Sequence, residues 1–115
     1  MHEYSIVAAL VDRVHEEAVR AGASRVKRLH VQIGDGSGVD VPLLVTAYET
    51  FRERTICEQA ELVIDAVETR WTCPRCSEPI ALGAPLRCPA CQVPARLTQG
   101  AEIVLQRIEM EVPDV

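Results

Sequence analysis

Aromatic residues and excess basic charge are both scarce in this sequence. Of 115 residues, 3% are aromatic while 48% are hydrophobic, so any core has to be built mainly from aliphatic side chains. Asp and Glu number 17 against 12 Lys and Arg, giving a net charge of −5. Proteins that bind nucleic acid neutralise phosphates with Lys and Arg and often stack bases on aromatic rings. The composition therefore disfavours a nucleic-acid partner and is compatible with binding a cation or another protein.

Long apolar runs are also absent. No stretch approaches the ~18 residues that spanning a bilayer requires, which predicts no membrane partner. The first residues include Glu3 and Asp12 and lack the basic segment of a secretory signal, so we expect a cytoplasmic protein. In a reducing compartment, paired cysteines are more often metal ligands than disulfides.

Hydrophobic periodicity predicts two helices and three strands. Apolar residues recur at three- and four-residue spacing over 4–21 and again over 41–54, which predicts amphipathic helices. Apolar and polar residues alternate over about 26–33, 61–70 and 101–111, which predicts strands with one face toward solvent. The expected fold class is α+β, with a small two-helix, three-stranded antiparallel-sheet domain.

The segment between the second and third predicted strands has a different composition. It holds five of the seven prolines and four of the five cysteines, and it shows no clear periodicity. So long an irregular segment is unusual in a compact domain unless something ties it together. We therefore expect an inserted, zinc-ribbon-like module at 71–98, within a domain formed by 1–70 plus 99–115.

Two C-x2-C pairs are candidates for the metal site that would hold this segment together. Cys73-Pro-Arg-Cys76 and Cys88-Pro-Ala-Cys91 are separated by eleven residues. Each pair turns tightly enough for both sulfurs to reach one ion, and two pairs complete a tetrahedron around zinc. Four thiolates leave no open position for water, so this zinc is expected to be structural. Two disulfides, a redox-active pair or an iron–sulfur cluster remain as alternatives.

The remaining cysteine and two of the three histidines have simpler interpretations. Cys57 follows the second predicted helix and is expected to be a small buried hydrophobic residue rather than a ligand. His15 lies near the edge of the first apolar stripe, and His30 lies on the polar face of a strand. Both are expected to be ordinary surface or boundary residues rather than ligands.

The sequence opening Met1-His2-Glu3 is a candidate second metal site. The terminal amine, the amide of residue 2 and its imidazole can form fused chelate rings around one ion once that amide is deprotonated. Such planar, nitrogen-rich coordination suits Ni(II) or Cu(II) better than zinc. Glu3 could add its amide or carboxylate, and Asp40, after the glycine-rich loop, could be a nearby acidic contributor. On composition alone, a terminus that binds nothing is the simpler alternative.

Taken in order, these motifs resemble the HypA/HybF family of hydrogenase-maturation nickel chaperones. The resemblance runs from Met1-His2-Glu3-Tyr4-Ser5 through 33–40 and 47–53 to the two cysteine pairs and 98–102. It implies a nickel-binding α/β domain carrying a zinc domain. By position, Met1, His2 and Glu3 match the family's nickel site and Asp40 an acidic position beside it. The ligands that match its zinc site are Cys73, Cys76, Cys88 and Cys91.

The resemblance implies a metallochaperone rather than an enzyme, with zinc as a structural cofactor and nickel as cargo. The implied partners are a hydrogenase-maturation GTPase and the precursor of the [NiFe]-hydrogenase large subunit. Urease maturation proteins are a further option, and the oligomeric state, including a homodimer, stays open. The runner-up is a zinc-ribbon adaptor that binds protein or nucleic acid, and a metalloenzyme ranks third.

The chain departs from the family pattern in two respects. Some relatives place histidines directly after the zinc cysteines, where this chain has Ser77 and Gln92. This difference favours a fixed tetrathiolate over exchange between histidine and thiolate ligands. Many relatives also have a Gly-Gly pair before the last strand, where this chain has Gly100-Ala101.

Overall fold

The computed structural model describes residues 2–113. The helices and strands follow one another as α1 (His2–Ala21), β1 (Arg25–Gly34), α2 (Val41–Phe51), β2 (Glu61–Val67), β3 (Arg70–Thr72), β4 (Arg96–Gln99) and β5 (Ile103–Glu111). The two helices and three main strands predicted from periodicity are confirmed. The second helix ends three residues earlier than expected. The predicted 61–70 strand was too long, because the chain leaves β2 at Val67 and a separate strand begins at Arg70.

The described chain forms two compact units. The first comprises 2–32, 39–65 and 104–113, and the second comprises 33–38 and 66–103. Strands β3 and β4 pair antiparallel within the second unit. The division predicted from sequence, with a nickel-binding domain at 1–70 plus 99–115 and a zinc-binding domain at 71–98, stays a prediction.

The three main strands form a sheet in the order β2-β1-β5. At one end of β1, the Ser24 amide donates to the Glu111 carbonyl over 2.9 Å, and at the other end Gly34 donates to Glu102 over 2.9 Å. Because the start of β1 lies beside the end of β5, these two strands run antiparallel, as predicted.

The other pair of strands corrects the prediction of an all-antiparallel sheet. The Asp35 amide, just after β1, donates to the carbonyl of Val67 at the end of β2 over 2.9 Å. Near the strand starts, Arg28 pairs with Glu61 at 3.0 Å. Like ends lie together, so β1 and β2 run parallel and the sheet is mixed. The reason is the connection: helix α2 carries the chain back across the sheet before β2 begins.

The core of the first unit is aliphatic, as the composition required. One face of α1 packs against α2, and alternate side chains of β1 are buried. The buried aliphatic residues that α1 and β1 contribute to this unit are Val7, Val11, Val14, Ala18, Val26, Leu29 and Val31. Tyr4 belongs to the predicted stripe but is 40% exposed, and the buried face of α1 instead begins with Glu3 and continues at Val7. Neither helix combines the length and apolarity needed to cross a membrane within the described residues.

A buried tyrosine holds the segment after α2 in place. Tyr48 is 1% exposed, and its hydroxyl donates to the Ala60 carbonyl over 2.9 Å. Arg52 donates to the same carbonyl over 2.9 Å, and its guanidinium lies 5.6 Å from the centre of the Tyr48 ring. Cys57 is fully buried beside them, and burial raises the pKa of its thiol. The interpretation of Cys57 as a buried hydrophobic residue is confirmed.

Two glycines allow close backbone contact in the second unit. The Gly36 amide donates to the Gly100 carbonyl over 2.8 Å. A Cβ atom on Gly34 would lie 2.0 Å from that same carbonyl oxygen, which is too close for any side chain. Gly100 itself has φ +90, and a Cβ there would lie 2.7 Å from the Glu68 carbonyl oxygen. Any larger residue at either position would force these backbone segments apart.

Tyr48→Phe is expected to lower the free energy of unfolding by about 0.5–1.5 kcal/mol, because it removes one hydrogen bond while Arg52 still satisfies the Ala60 carbonyl. Urea unfolding followed by circular dichroism would measure the change. Tyr4→Phe is the matched control, since its ring is partly exposed, and it should leave the midpoint unchanged. Equal stability of the native chain and Tyr48→Phe would contradict the role given to this hydroxyl.

Candidate metal centres

The four paired cysteines converge on one point. The sulfur atoms of Cys73, Cys76, Cys88 and Cys91 all lie within 4.8 Å of one another. The Sγ atoms of Cys76 and Cys88 are 3.8 Å apart. Four sulfurs at ~2.3 Å from a central zinc ion would be separated by about 3.8 Å along each edge of the tetrahedron. The spacing therefore fits a zinc tetrathiolate and is far longer than the ~2.05 Å of a disulfide bond.

Each cysteine pair forms the same tight turn. The Arg75 and Cys76 amides point at the Cys73 sulfur at 3.4 and 3.5 Å, and the Cys91 amide points at the Cys88 sulfur at 3.4 Å. These amide dipoles stabilise a thiolate. Accordingly, hydrogen bonds led by the one from the Cys76 amide lower the pKa of the Cys73 thiol to about 7.

The two turns belong to a structural repeat with a period of 15 residues. The Cys73 amide donates to the Glu78 carbonyl, and the Cys88 amide donates to the Val93 carbonyl. One step outward, Ile80 donates to Trp71 and Ala95 donates to Leu86. Each half is therefore a small hairpin that presents two sulfurs. The sequence showed only the two similar cysteine pairs, because the repeat lies in backbone hydrogen bonds rather than in side-chain identity.

Very little apart from the sulfurs is buried in the 66–103 part of the second unit. Of residues 66–103, only Cys73, Cys88 and Gly100 are buried. Cys91 is partly exposed and Cys76 is exposed. Thiol–thiol hydrogen bonding, led by Cys76, raises the pKa of Cys91 to about 12. Four thiols this close cannot all ionise unless a cation offsets the charge, so binding a divalent metal here would release protons.

The residues that follow the two cysteine pairs adopt left-handed backbone conformations. Ser77 has φ 63 and Gln92 has φ 56. Their amides donate to the carbonyls of Cys73 and Cys88, and each of these bonds is 2.9 Å long. The Gln92 side chain is itself engaged, donating to the Pro89 carbonyl over 2.8 Å. These two positions therefore close the turns through their backbones.

The predicted terminal site is only partly described. Met1 lies outside the described residues. His2 opens α1 with a side chain that is 65% exposed, while the Glu3 side chain is 9% exposed. The His2 Nε2 and Glu3 Oε2 atoms are 4.0 Å apart. The imidazole is thus open to solvent beside a carboxylate that is fixed in position.

Asp40 lies beside Glu3 although 37 positions separate them in sequence. The Asp40 amide donates to Glu3 Oε2 over 3.1 Å, and this bond is the main reason that the pKa of Glu3 falls below its usual range. Asp40 also caps α2, because its Oδ1 accepts from the Leu43 amide over 3.1 Å. The sequence suggested that Asp40 lay nearby, but not that its backbone amide would be the group in contact.

His2, Glu3 and Asp40 do not by themselves form a cluster of converging side chains. In the part of the chain from 2 to 113, the four cysteines are the group in which three or more metal-binding side chains come together. Coordination at the terminus would therefore need the backbone nitrogens that the sequence pattern invokes. His15 is exposed, and His30 is partly buried beside Glu109 on the sheet.

Comparison with known proteins gives one family along the whole chain. The family model described as "Hydrogenase/urease nickel incorporation, metallochaperone, hypA" matches residues 1–110. The chain is 37% identical over 113 residues to hydrogenase maturation factor HypA of Shewanella baltica, covering 96% of this chain and 97% of that protein. It is also 37% identical over 117 residues to HypA of Wolinella succinogenes, covering 99% and 98%.

Solved structures give the same answer. The solution structure of the Ni metallochaperone HypA from Helicobacter pylori matches with a TM-score of 0.77 and 36% identity, covering 98% of this chain and all of that one. A second solution structure of a HypA protein matches with a TM-score of 0.80 and 35% identity, covering 98% of both chains. The resemblance drawn from the motifs is confirmed, and this chain belongs to the HypA family of nickel metallochaperones that serve hydrogenase and urease nickel incorporation.

Proposed function

We propose that this chain binds Ni(II) at Met1, His2 and Glu3 and hands it on for insertion into the large subunit of [NiFe]-hydrogenase. The observation that carries the proposal is the start of α1. There, an exposed imidazole adjoins a glutamate whose carboxylate is held by the Asp40 amide. In a chain that belongs to a nickel-chaperone family, this is the point where nitrogen donors are freely accessible.

The mechanism is ligand exchange at an open site. Once the amides of residues 2 and 3 have released their protons to solvent, their nitrogens join the His2 imidazole as donors that favour square-planar Ni(II). The bond from the Asp40 amide fixes Glu3 in place. The His2 side chain stays free to move toward an acceptor. Asp40 offers its second carboxylate oxygen near the site, since Oδ1 is already engaged in capping α2.

Zinc has a different role in this proposal. Cys73, Cys76, Cys88 and Cys91 would hold it with four thiolates and no open position, so it would stabilise the fold and not activate water. The second unit would then order around the ion and serve as a docking element. A zinc-ribbon adaptor without a nickel role has no comparable support.

The proposed setting is the cytoplasm, where the chain would act without catalysing a reaction itself. Its proposed partners are a hydrogenase-maturation GTPase and the hydrogenase large-subunit precursor. The family description also includes urease, so urease maturation proteins are proposed as additional partners.

Nickel titration of the untagged chain by calorimetry is expected to give one Ni(II) per chain. His2→Ala removes the imidazole, and one residue added before Met1 moves the amine out of the chelate. Both changes should weaken binding by at least about tenfold. His15→Ala is the control, because it removes an exposed histidine elsewhere on α1. Undiminished affinity in both altered chains would rule out the terminal site.

Glu3→Gln tests the anchoring of the terminal segment. Because the pKa of Glu3 is lowered in the folded state, its carboxylate contributes stability above the ordinary pKa of about 4.5. That contribution is lost as the pH falls through the lower, folded-state value. The native chain should therefore have a higher urea midpoint than Glu3→Gln at pH 7, and the difference should shrink toward pH 3. Glu16→Gln, an exposed change on the same helix, should show no such trend; a constant difference for Glu3→Gln would refute the ionic anchor.

Cys73→Ser tests the structural metal. It removes a buried sulfur ligand, so zinc content measured by atomic absorption should fall from one per chain toward zero. Amide hydrogen exchange should become fast across 71–98 while α1 stays protected, since that segment buries almost nothing else. Cys57→Ala is the control, because it removes a buried cysteine outside the cluster and should retain zinc. A zinc-free but well-protected 71–98 segment would show that the metal is not structural.

A further inference from the structure

The four sulfurs of the metal cluster differ in their access to solvent. Cys73 and Cys88 are each 1% exposed, and backbone amides point at both of their sulfurs. Cys91 is partly exposed, whereas Cys76 is exposed. An oxidant from solution reacts with a cysteine only where it can reach the thiolate. Solvent access therefore singles out Cys76 among the four.

The second cysteine turn is bridged by two side chains. The Arg87 guanidinium donates to the Gln92 carbonyl, and the Gln92 side chain donates to the Pro89 carbonyl over 2.8 Å. Both bonds run across the turn that carries Cys91. They explain why Cys91 is less exposed than Cys76, its counterpart in the 15-residue repeat.

The first cysteine turn has shorter side chains at the matching positions. Fifteen residues before Arg87 and Gln92 lie Thr72 and Ser77. Neither of these short side chains can reach across the turn in the same way, so Cys76 is left open to solvent. The backbone is alike in both turns, since Ser77 has φ 63 and Gln92 has φ 56. The difference in access thus comes from the side chains.

A second sulfur lies close enough to Cys76 to complete a disulfide. The Sγ atoms of Cys76 and Cys88 are 3.8 Å apart, and they belong to different hairpins. A sulfenic acid formed on one cysteine condenses with a nearby thiolate to give a disulfide. Cys88 can supply that thiolate although it is buried, because this step takes place within the chain and needs no access from solvent.

We propose that Cys76 is a site of oxidation by peroxides, and that a disulfide formed between Cys76 and Cys88 releases the zinc ion. This inference rests on the proposed zinc site and does not depend on nickel binding at the terminus. The oxidant is a two-electron oxidant of the hydrogen peroxide class. One peroxide oxygen is transferred to the Cys76 sulfur: the S–O bond forms, the O–O bond breaks, and the other oxygen leaves as water after taking up a proton.

The second step forms the disulfide. The Cys88 thiolate attacks the Cys76 sulfur, the S–S bond forms, and the departing hydroxide takes up a second proton. Overall, two thiolates, one hydrogen peroxide and two protons give one disulfide and two water molecules. Cys73 and Cys91 alone cannot supply the four ligands of a structural zinc site, so the ion would leave. The two hairpins would stay joined by the new covalent bond.

Treatment of the zinc-loaded, nickel-free chain with hydrogen peroxide tests the proposal. Zinc release is followed by the absorbance of a chromogenic chelator, and samples are alkylated, digested with trypsin and analysed by mass spectrometry. Cys73, Cys76 and Cys88 fall in separate tryptic peptides, because an arginine directly precedes both Cys76 and Cys88. The Cys76 peptide should become linked to the Cys88 peptide at the rate at which zinc leaves, while the buried Cys57 stays reduced. A chain that holds no zinc before treatment would overturn the zinc site and this inference together.

Ser77→Gln changes the access to Cys76 without changing a zinc ligand. Gln already occupies the matching position 92 with the same left-handed backbone, so this variant is expected to fold and to bind zinc. Its side chain should bridge the first turn and slow both zinc release and disulfide formation at least about threefold. Ser5→Gln is the matched control, since it makes the same change at an exposed position on α1 and should leave both rates unchanged.

Gln92→Ser is the reciprocal variant, and it serves alone should Ser77→Gln fail to bind zinc. It removes a side chain that bridges the second turn, so Cys91 should now compete with Cys76 for the peroxide. First oxidation of the native chain at a cysteine other than Cys76, or a disulfide that does not include Cys88, would overturn the proposal. Zinc retained after Cys76 is oxidised, or rates unchanged in both variants, would overturn it as well.

Discussion

The second unit depends on the convergence of four sulfur atoms within 4.8 Å. Hydrophobic burial cannot take over this role, because only Cys73, Cys88 and Gly100 are buried among residues 66–103. Backbone amides aimed at the sulfurs favour thiolates, while the sulfurs repel one another once they ionise. A divalent cation would offset the repulsion among the ionised sulfurs. Without one, few interactions are left to order the segment. The dependence on metal thus arises from the lack of a core.

The two candidate metal sites differ in how their ligands are held. The sulfurs lie in two copies of one hairpin, each closed by the same backbone hydrogen bonds, so a metal bound there would be enclosed by four ligands. At the terminus, Glu3 is held by a bond from the Asp40 amide, and the His2 side chain is open to solvent. A closed site suits an ion that stays, whereas an open one suits an ion that leaves.

Much of this architecture could be predicted from sequence because it depends on local patterns. Alternation located β1 and β5, and the C-x2-C spacing located the sulfur cluster. Strand direction could not be predicted in this way, because alternation is the same for parallel and antiparallel partners; the crossover through α2 decides it. The contact of Glu3 with the Asp40 amide could not be predicted either, because the sequence does not show which backbone amides are available as donors. The same holds for the contacts of Arg28 with Glu61 and of His30 with Glu109, which join strands that are distant along the chain.

The backbone conformation and surroundings of Gly100 explain which of two adjacent small residues has to be glycine. Many relatives have two glycines where this chain has Gly100-Ala101. The first of these positions has φ +90 and backbone atoms of 68 and 69 within 3 Å of where a Cβ would be, so only glycine fits. Ala101 is exposed and therefore has room for a methyl group. The difference from the family pattern is consequently at the position of the pair that tolerates a side chain, and it leaves one fewer flexible residue before β5.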